Sequence, residues 1–269
     1  MLKKIVFMGT PEFSVQSLEV LVKSSFNVLC VYTQPPKKAS RGQKINSTPI
    51  QKISEKLDLM VRTPNDLNDE MEYKFFKSLS PDIVVVVAYG NIIPKKYLDL
   101  PKEGFINIHA SLLPKWRGAA PIQRSIMNLD KETGISIMKI EEKLDSGPFM
   151  RQVKVPIDKN SNTLTLSKEL SKIGSEHIVE CLNLISSKKA KYIEQDHSKA
   201  TYAKKINKAE SKVFWKDSAK IILSKINALN PSPGAWFEFE GIRYKIWKAK
   251  ISGMIGKPGE ILNNNLVIA

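Results

Sequence analysis

Gly104-Phe105-Ile106-Asn107-Ile108-His109-Ala110-Ser111-Leu112-Leu113-Pro114-Lys115-Trp116-Arg117-Gly118-Ala119-Ala120-Pro121 reads as a short apolar strand running into a segment rich in Pro and Gly. Strand side chains repeat every two residues, so Asn107 and His109 project from the same side of the backbone. A strand end opening into a loop is where α/β proteins keep their reactive groups. An amide supplies two N–H donors to an oxygen that gains charge, and an imidazole can hold or pass a proton. The pair suits acyl transfer, which also needs a carboxylate to orient the ring. Asp145, in Lys143-Leu144-Asp145-Ser146-Gly147-Pro148, follows the strand pattern of residues 135–140 and is the candidate. Each residue alone has an ordinary alternative: Asn107 and His109 as satisfied structural polar groups, and Asp145 as a turn residue.

Working outward, Pro81-Asp82-Ile83-Val84-Val85-Val86-Val87-Ala88-Tyr89 is an uninterrupted apolar run of the kind found in strands covered on both faces, hence in a parallel sheet. Strand patterns near residues 3–8, 27–33 and 60 alternate with helical periodicity over 12–22, 49–57 and 66–79. Together they predict an α/β fold with an open, doubly wound, mostly parallel sheet and ligands above the carboxyl ends of its strands. A long helix is expected over 162–186, closing a first domain of residues 1–187. Residues 188–207 are polar, basic and weakly periodic, which predicts a linker. A second module, 208–269, combines a short helix with strand patterns at 235–240 and 244–249, which suggests a small β-barrel. The chain stops within an apolar strand pattern, Leu266-Val267-Ile268-Ala269, so the barrel is expected to be incomplete.

The 269 residues carry 42 basic and 27 acidic side chains, a net charge of +15, which implies an anionic partner. The excess sits late: 21 basic against 16 acidic residues up to residue 150, then 21 against 11. Lysines concentrated between 188 and 220 could follow a phosphate backbone, or could decorate a solvated linker. The first strand ends in Gly9-Thr10-Pro11-Glu12 rather than in a G-x-G-x-x-G fingerprint, which disfavours a dinucleotide-dependent dehydrogenase. The three His and two Cys lack metal-ligand spacing, so no metal is expected, and Cys30 and Cys181 read as buried reduced thiols. No run of about eighteen apolar residues occurs and the start lacks a secretory apolar core, so a cytoplasmic protein with no membrane partner is expected.

The stretch Asn107 to Pro121, followed 36 residues after His109 by Asp145, resembles the signature of the folate-dependent formyltransferases. Similar motifs recur at Phe7 to Ser14, Ser40 to Lys44, Thr201 to Ile206 and Asn230 to Trp236, so the resemblance spans nearly the whole chain. It implies a Rossmann-like catalytic domain with Asn107, His109 and Asp145 as the catalytic trio. It implies 10-formyltetrahydrofolate as formyl donor, held by Ala88, Tyr89, Gly90, Asn91 and Ile92 and by Ser111, Leu112, Leu113 and Pro114. The acceptor implied is the amino group of initiator methionyl-tRNA, formylated for translation initiation by a monomeric enzyme. Arg41, flanked by Lys38 and Lys44, matches an arginine that reaches the tRNA acceptor end. Lys204 and Lys205 join the tRNA-binding set, and the second module resembles an OB-like barrel that contacts tRNA. Without the resemblance, the cationic loop reads rather as a solvated one, and Trp116 and Arg117 read either as part of the site entrance or as packing.

Overall fold

Five parallel strands form the centre of the protein, seen in a computed structural model that describes residues 3–39 and 44–269. In chain order the first half comprises β1 (Lys4–Gly9), α1 (Val15–Val22), β2 (Asn27–Tyr32), β3 (Lys37–Ala39), β4 (Lys44–Asn46), α2 (Pro49–Lys56), β5 (Val61–Arg62), α3 (Glu70–Leu79), β6 (Ile83–Val87), α4 (Lys95–Leu98) and β7 (Phe105–His109). The second half adds β8 (Arg117–Gly118), α5 (Pro121–Met127), β9 (Glu132–Lys139), β10 (Phe149–Pro156), α6 (Thr163–Ser186), β11 (Tyr202–Ala203), α7 (Ala219–Ala228), β12 (Ala235–Phe239) and β13 (Ile242–Ile246). The main sheet runs β10-β9-β7-β6-β1-β2-β5; β9 is antiparallel to both of its neighbours and the other pairings are parallel. The chain builds β1, β2 and β5 in one direction and then returns to β6 and β7 on the other side of β1. That reversal puts the topological switch point, where open sheets bind ligands, between the ends of β1 and β6.

The Val run of β6 is buried at every position, as a strand covered on both faces requires. Alternation then sorts β7 between two cores. Ile106 and Ile108 join the cluster that α1, α2, α5 and α6 cover, while Phe105 joins Phe76 and Tyr97 on the face covered by α3 and α4. Fully burying side chains of this size contributes about 1.5–3 kcal/mol each, so one face of β7 is firmly anchored. Helix α6 presses on that face closely: a Cβ at Gly174 would lie 2.8 Å from Ile108 Cγ2. Its start is fixed by a capping box between Asn162 and Thr165.

One expectation changes and two gain detail. The segment around Lys38 and Lys44, read as a cationic loop, contains the antiparallel pair β3 and β4, in which Ala39 pairs with Lys44; Arg41 lies outside the described residues. Residues 188–207 do not hang free, because Ile193 pairs with Phe149 and β11 lies parallel to β8. Finally, no closed barrel exists among the described residues of 208–269. Strands β12 and β13 form a two-stranded sheet, extended by a bridge from Lys212 to Trp236 and a separate one from Ile261 to Ile268. Beyond Trp247 the chain carries Gly253, Gly256, Pro258 and Gly259, which interrupt the alternation that further ladders need.

Candidate active site

Because β7 alternates, Asn107 and His109 share the face turned away from α6, and the next turns of chain supply their surroundings. His109 is 5% exposed, so its ring nitrogens need partners. Nε2 lies 2.9 Å from the Trp116 carbonyl, an oxygen that can only accept, so Nε2 carries a proton. Nδ1 faces Asp145 Oδ2 at 3.7 Å, an ion-pair separation longer than a direct hydrogen bond. A ring protonated at both nitrogens would meet an acceptor on each side. Asn107 is half-buried, and among the described residues its amide has no hydrogen-bond partner. The structure thus brings His109 and Asp145 together at the end of β7 and leaves the Asn107 amide available beside them.

Two strained residues aim these groups. Trp116 adopts φ 64° and Asp145 φ 47°, left-handed conformations that most side chains avoid, each at a cost on the order of 1–3 kcal/mol. Trp116 is held by its N–H to Thr201 Oγ1 at 2.9 Å and by its indole N–H to Asp130 Oδ2 at 2.7 Å. Asp145 Oδ2 accepts the Gly118 N–H at 2.7 Å. Gly118 itself has φ 116°, and a Cβ there would lie 2.9 Å from the Ala203 carbonyl, so this close approach requires glycine.

The residues that sequence reasoning missed come from the basic stretch after α6. Gln195 is 4% exposed and bonds both Arg117 and the Asp145 loop. Arg117, also 4% exposed, has neutral partners, Gln195 and His197, and no carboxylate within ion-pair distance among the described residues. Nothing local marks Gln195 in the sequence; its partners lie 48 to 78 residues away.

The residues expected to hold folate divide. Ala88 to Ile92 leave β6 at the switch point: Ala88 and Gly90 have φ 48° and 86°, Tyr89 is buried, and Ile92 is 91% exposed. The Tyr89 carbonyl accepts from Thr10 Oγ1 at 2.7 Å, tying this turn to the end of β1. Ser111 to Pro114 leave β7 at the same end of the sheet, but several of their backbone groups are already committed. Ser136 Oγ donates to the Ser111 carbonyl and accepts the Leu113 N–H, and Gln152 donates to the Leu113 carbonyl. The Ala88 turn therefore offers free edges to a ligand, whereas Ser111 to Pro114 form a braced wall.

A groove of about 770 Å3 lies beside the Asp145 loop, lined by Arg117, Lys143, Ser146, His197 and Tyr202 among others. A second, about 540 Å3, is lined by Arg124, Tyr202, Lys204, Lys205, Asn207 and Glu210. Neither touches Asn107 or His109, but the 59% exposed Tyr202 borders both and links the Lys204 and Lys205 surface to the Asp145 loop. Lys38 and Lys44 lie on β3 and β4, in the main sheet's neighbouring hairpin. Cys30 and Cys181 are free and buried, their thiols pushed up to about 12 and about 11 by burial, so neither is a nucleophile. Among the described residues no group of His, Cys, Asp and Glu is arranged to hold a metal ion, and no helix is long and apolar enough to cross a membrane.

Residues 3–182 match the Formyl transferase family and residues 205–269 match the Formyl transferase, C-terminal domain family. A methionyl-tRNA formyltransferase of Pelagibacter ubique is 54% identical over 270 residues, covering 100% of this chain and 87% of that protein. One from Wolbachia is 42% identical over 266 residues, covering 99% of this chain and 87% of that protein. Among solved structures, a sugar N-formyltransferase from Shewanella superposes with a TM-score of 0.68 at 20% identity, covering 96% of this chain and 100% of its own. HypX from Aquifex aeolicus in complex with tetrahydrofolic acid gives 0.67 at 18% identity, and the match covers 96% of this chain but 40% of that longer one. The Rossmann-like sheet, the site at its carboxyl end and these matches agree: the chain belongs to the formyl transferase family.

Proposed function

We infer that this chain transfers the formyl group of 10-formyltetrahydrofolate to the amino group of methionyl-initiator tRNA, the step that prepares the tRNA for translation initiation. The carrying observation is the convergence of a free Asn107 amide with His109 and Asp145, 3.7 Å apart, in a chain 54% identical to a methionyl-tRNA formyltransferase. The amine nitrogen attacks the formyl carbon, forming the new C–N bond while the carbonyl electrons move to oxygen. Collapse restores the carbonyl and breaks the bond to the folate nitrogen, which takes a proton, while the amine loses one. Asn107 donates to the oxygen as it gains charge. A preorganised donor of this type contributes about 2.7–4 kcal/mol to the transition state. His109, its Nε2–H committed to Trp116, presents the Nδ1 edge toward Asp145, and Asp145 accepts the proton that the amine loses.

The folate would be held at the switch point by Ala88, Tyr89, Gly90, Asn91 and Ile92, of which Ala88, Gly90 and Ile92 are exposed, and by Ser111, Leu112, Leu113 and Pro114. The acceptor tRNA is taken by Lys204 and Lys205 along the Tyr202 groove, by Lys38 of β3 and Lys44 of β4, and by Arg41. Residues 1–187 act as the catalytic domain, 188–207 as its connection and 208–269 as an OB-like tRNA-binding module. The enzyme works as a cytoplasmic monomer. Transfer of labelled formyl from the folate to charged initiator tRNA, and not to amino sugars, is the expected result. Equal transfer to small amines without tRNA would replace this reading with a small-molecule formyltransferase.

A further inference from the structure

The connecting stretch reaches both sides of the catalytic ring. Thr201 holds Trp116, whose carbonyl meets His109 Nε2, and Gln195 holds the loop that carries Asp145. We propose that Gln195 is a positioning residue for catalysis: its side chain staples the Asp145 loop, so that the strap leading to Lys204 and Lys205 completes the active site. Gln195 Nε2 donates to the Asp145 carbonyl at 2.9 Å and to the Gly147 carbonyl at 2.6 Å, one on each side of Ser146. Its Oε1 accepts from Arg117 Nε at 3.1 Å and Nη2 at 2.7 Å. Arg117 has no acceptor and the two carbonyls have no donor, so the amide works in one orientation only. The loop has little freedom elsewhere. Asp145 is left-handed, Ser146 Oγ donates to the Lys143 carbonyl, and a Cβ at Gly147 would lie 2.2 Å from the Lys139 carbonyl. With both flanking carbonyls fixed, the Asp145 carboxylate stays on the Gly118 N–H and beside His109 Nδ1.

The proposal rests on Asp145 belonging to the catalytic trio, and the test separates the two. Gln195→Glu keeps an acceptor for Arg117 but turns a carboxylate oxygen toward two carbonyls; Gln195→Ala removes the staple altogether. In the full chain both variants are expected to lower kcat at least about tenfold, with KM for folate and for charged tRNA changed less than about twofold. Gln195→Glu, paired with Arg117, keeps the wild-type melting temperature, which separates lost positioning from lost folding. In an Asp145→Asn background Gln195→Ala should reduce kcat no further, because the group it positions is already gone. Near wild-type kcat in Gln195→Glu, or a full multiplicative loss in the double variant, overturns the proposal while leaving the trio intact. Wild-type kcat in Asp145→Asn alone removes the trio and this proposal with it.

Discussion

The catalytic sheet and the carboxyl-terminal module draw their order from different sources. Seven strands and the helices on both faces enclose β6 and β7, whose Ile83, Val85, Val87 and Ile106 are fully buried. The module beyond residue 208 has a buried core of four residues, Val213, Ile226, Leu229 and Ala235, and exposes Phe239, Ile242, Tyr244 and Trp247 along its hairpin. Part of its order is borrowed: α7 packs on α5, and Met127 joins its core. Groups that must meet within about 0.5 Å to act on one carbonyl are best held by a rigid sheet. A surface that meets a long polyanion needs charge and reach more than rigidity.

Truncations on the two sides give the widest contrast. Ile106→Ala, in a site that cannot collapse, should cost toward the upper end of about 2–5 kcal/mol and lower the unfolding transition of the whole protein. Leu229→Ala should fall toward the lower end, with the loss confined by amide hydrogen exchange to residues after 208. Protection lost equally throughout would mean the two regions are one cooperative unit. Asn107→Ala should cut turnover on the order of a hundredfold or more with the melting temperature little changed, because its side-chain amide makes no hydrogen bond among the described residues. A stopped-flow turnover assay beside a melting curve reads both halves of that statement.

Smaller effects mark the junction. Lys204→Glu with Lys205→Glu should raise KM for tRNA and flatten its dependence on salt by roughly one unit of slope per lysine removed, leaving kcat unchanged. An unaltered salt slope would take these residues out of the tRNA path. Smallest of all is the ion pair joining Arg124 of α5 to Glu210 of the second module, at 2.6 Å and 3.1 Å. The Arg124 hydrogen bond, opposed in part by burial, holds the Glu210 carboxyl below its ordinary range. A depressed folded value means that its stabilisation is complete above the unfolded carboxyl pKa and is lost as pH falls through the folded one. The pair is partly exposed, so a double-mutant cycle should give about 0.5 kcal/mol near pH 7 and nothing in acid. A coupling that persists in acid would show that it is not the carboxylate that holds the junction.

Local patterns made part of this legible. The Val run of β6 and the apolar run of β7, which sets Phe105, Asn107 and His109 on one side and Ile106 and Ile108 on the other, announce their strands because side chains alternate between the two faces of a sheet. The pairing of β11 with β8 has no such signature, since two residues make no period, and the interest of Gln195 lies in contacts that a polar, lysine-rich stretch does not advertise. The left-handed Asp145 is readable only in retrospect from the Ser-Gly-Pro that follows it. In the second module the alternation predicts its two strands, but barrel closure depends on pairing between distant segments, which alternation does not encode.

Single-turnover formyl transfer by Asp145→Asn, at saturating folate and charged tRNA, bears most directly on the site. The asparagine keeps the size of the side chain and an oxygen for the Gly118 N–H, but cannot accept the amine proton as a carboxylate does. A rate on the order of a hundredfold or more below wild type, with tRNA affinity unchanged, is the predicted result. A wild-type rate would show that the carboxylate beside His109 takes no part in the transfer.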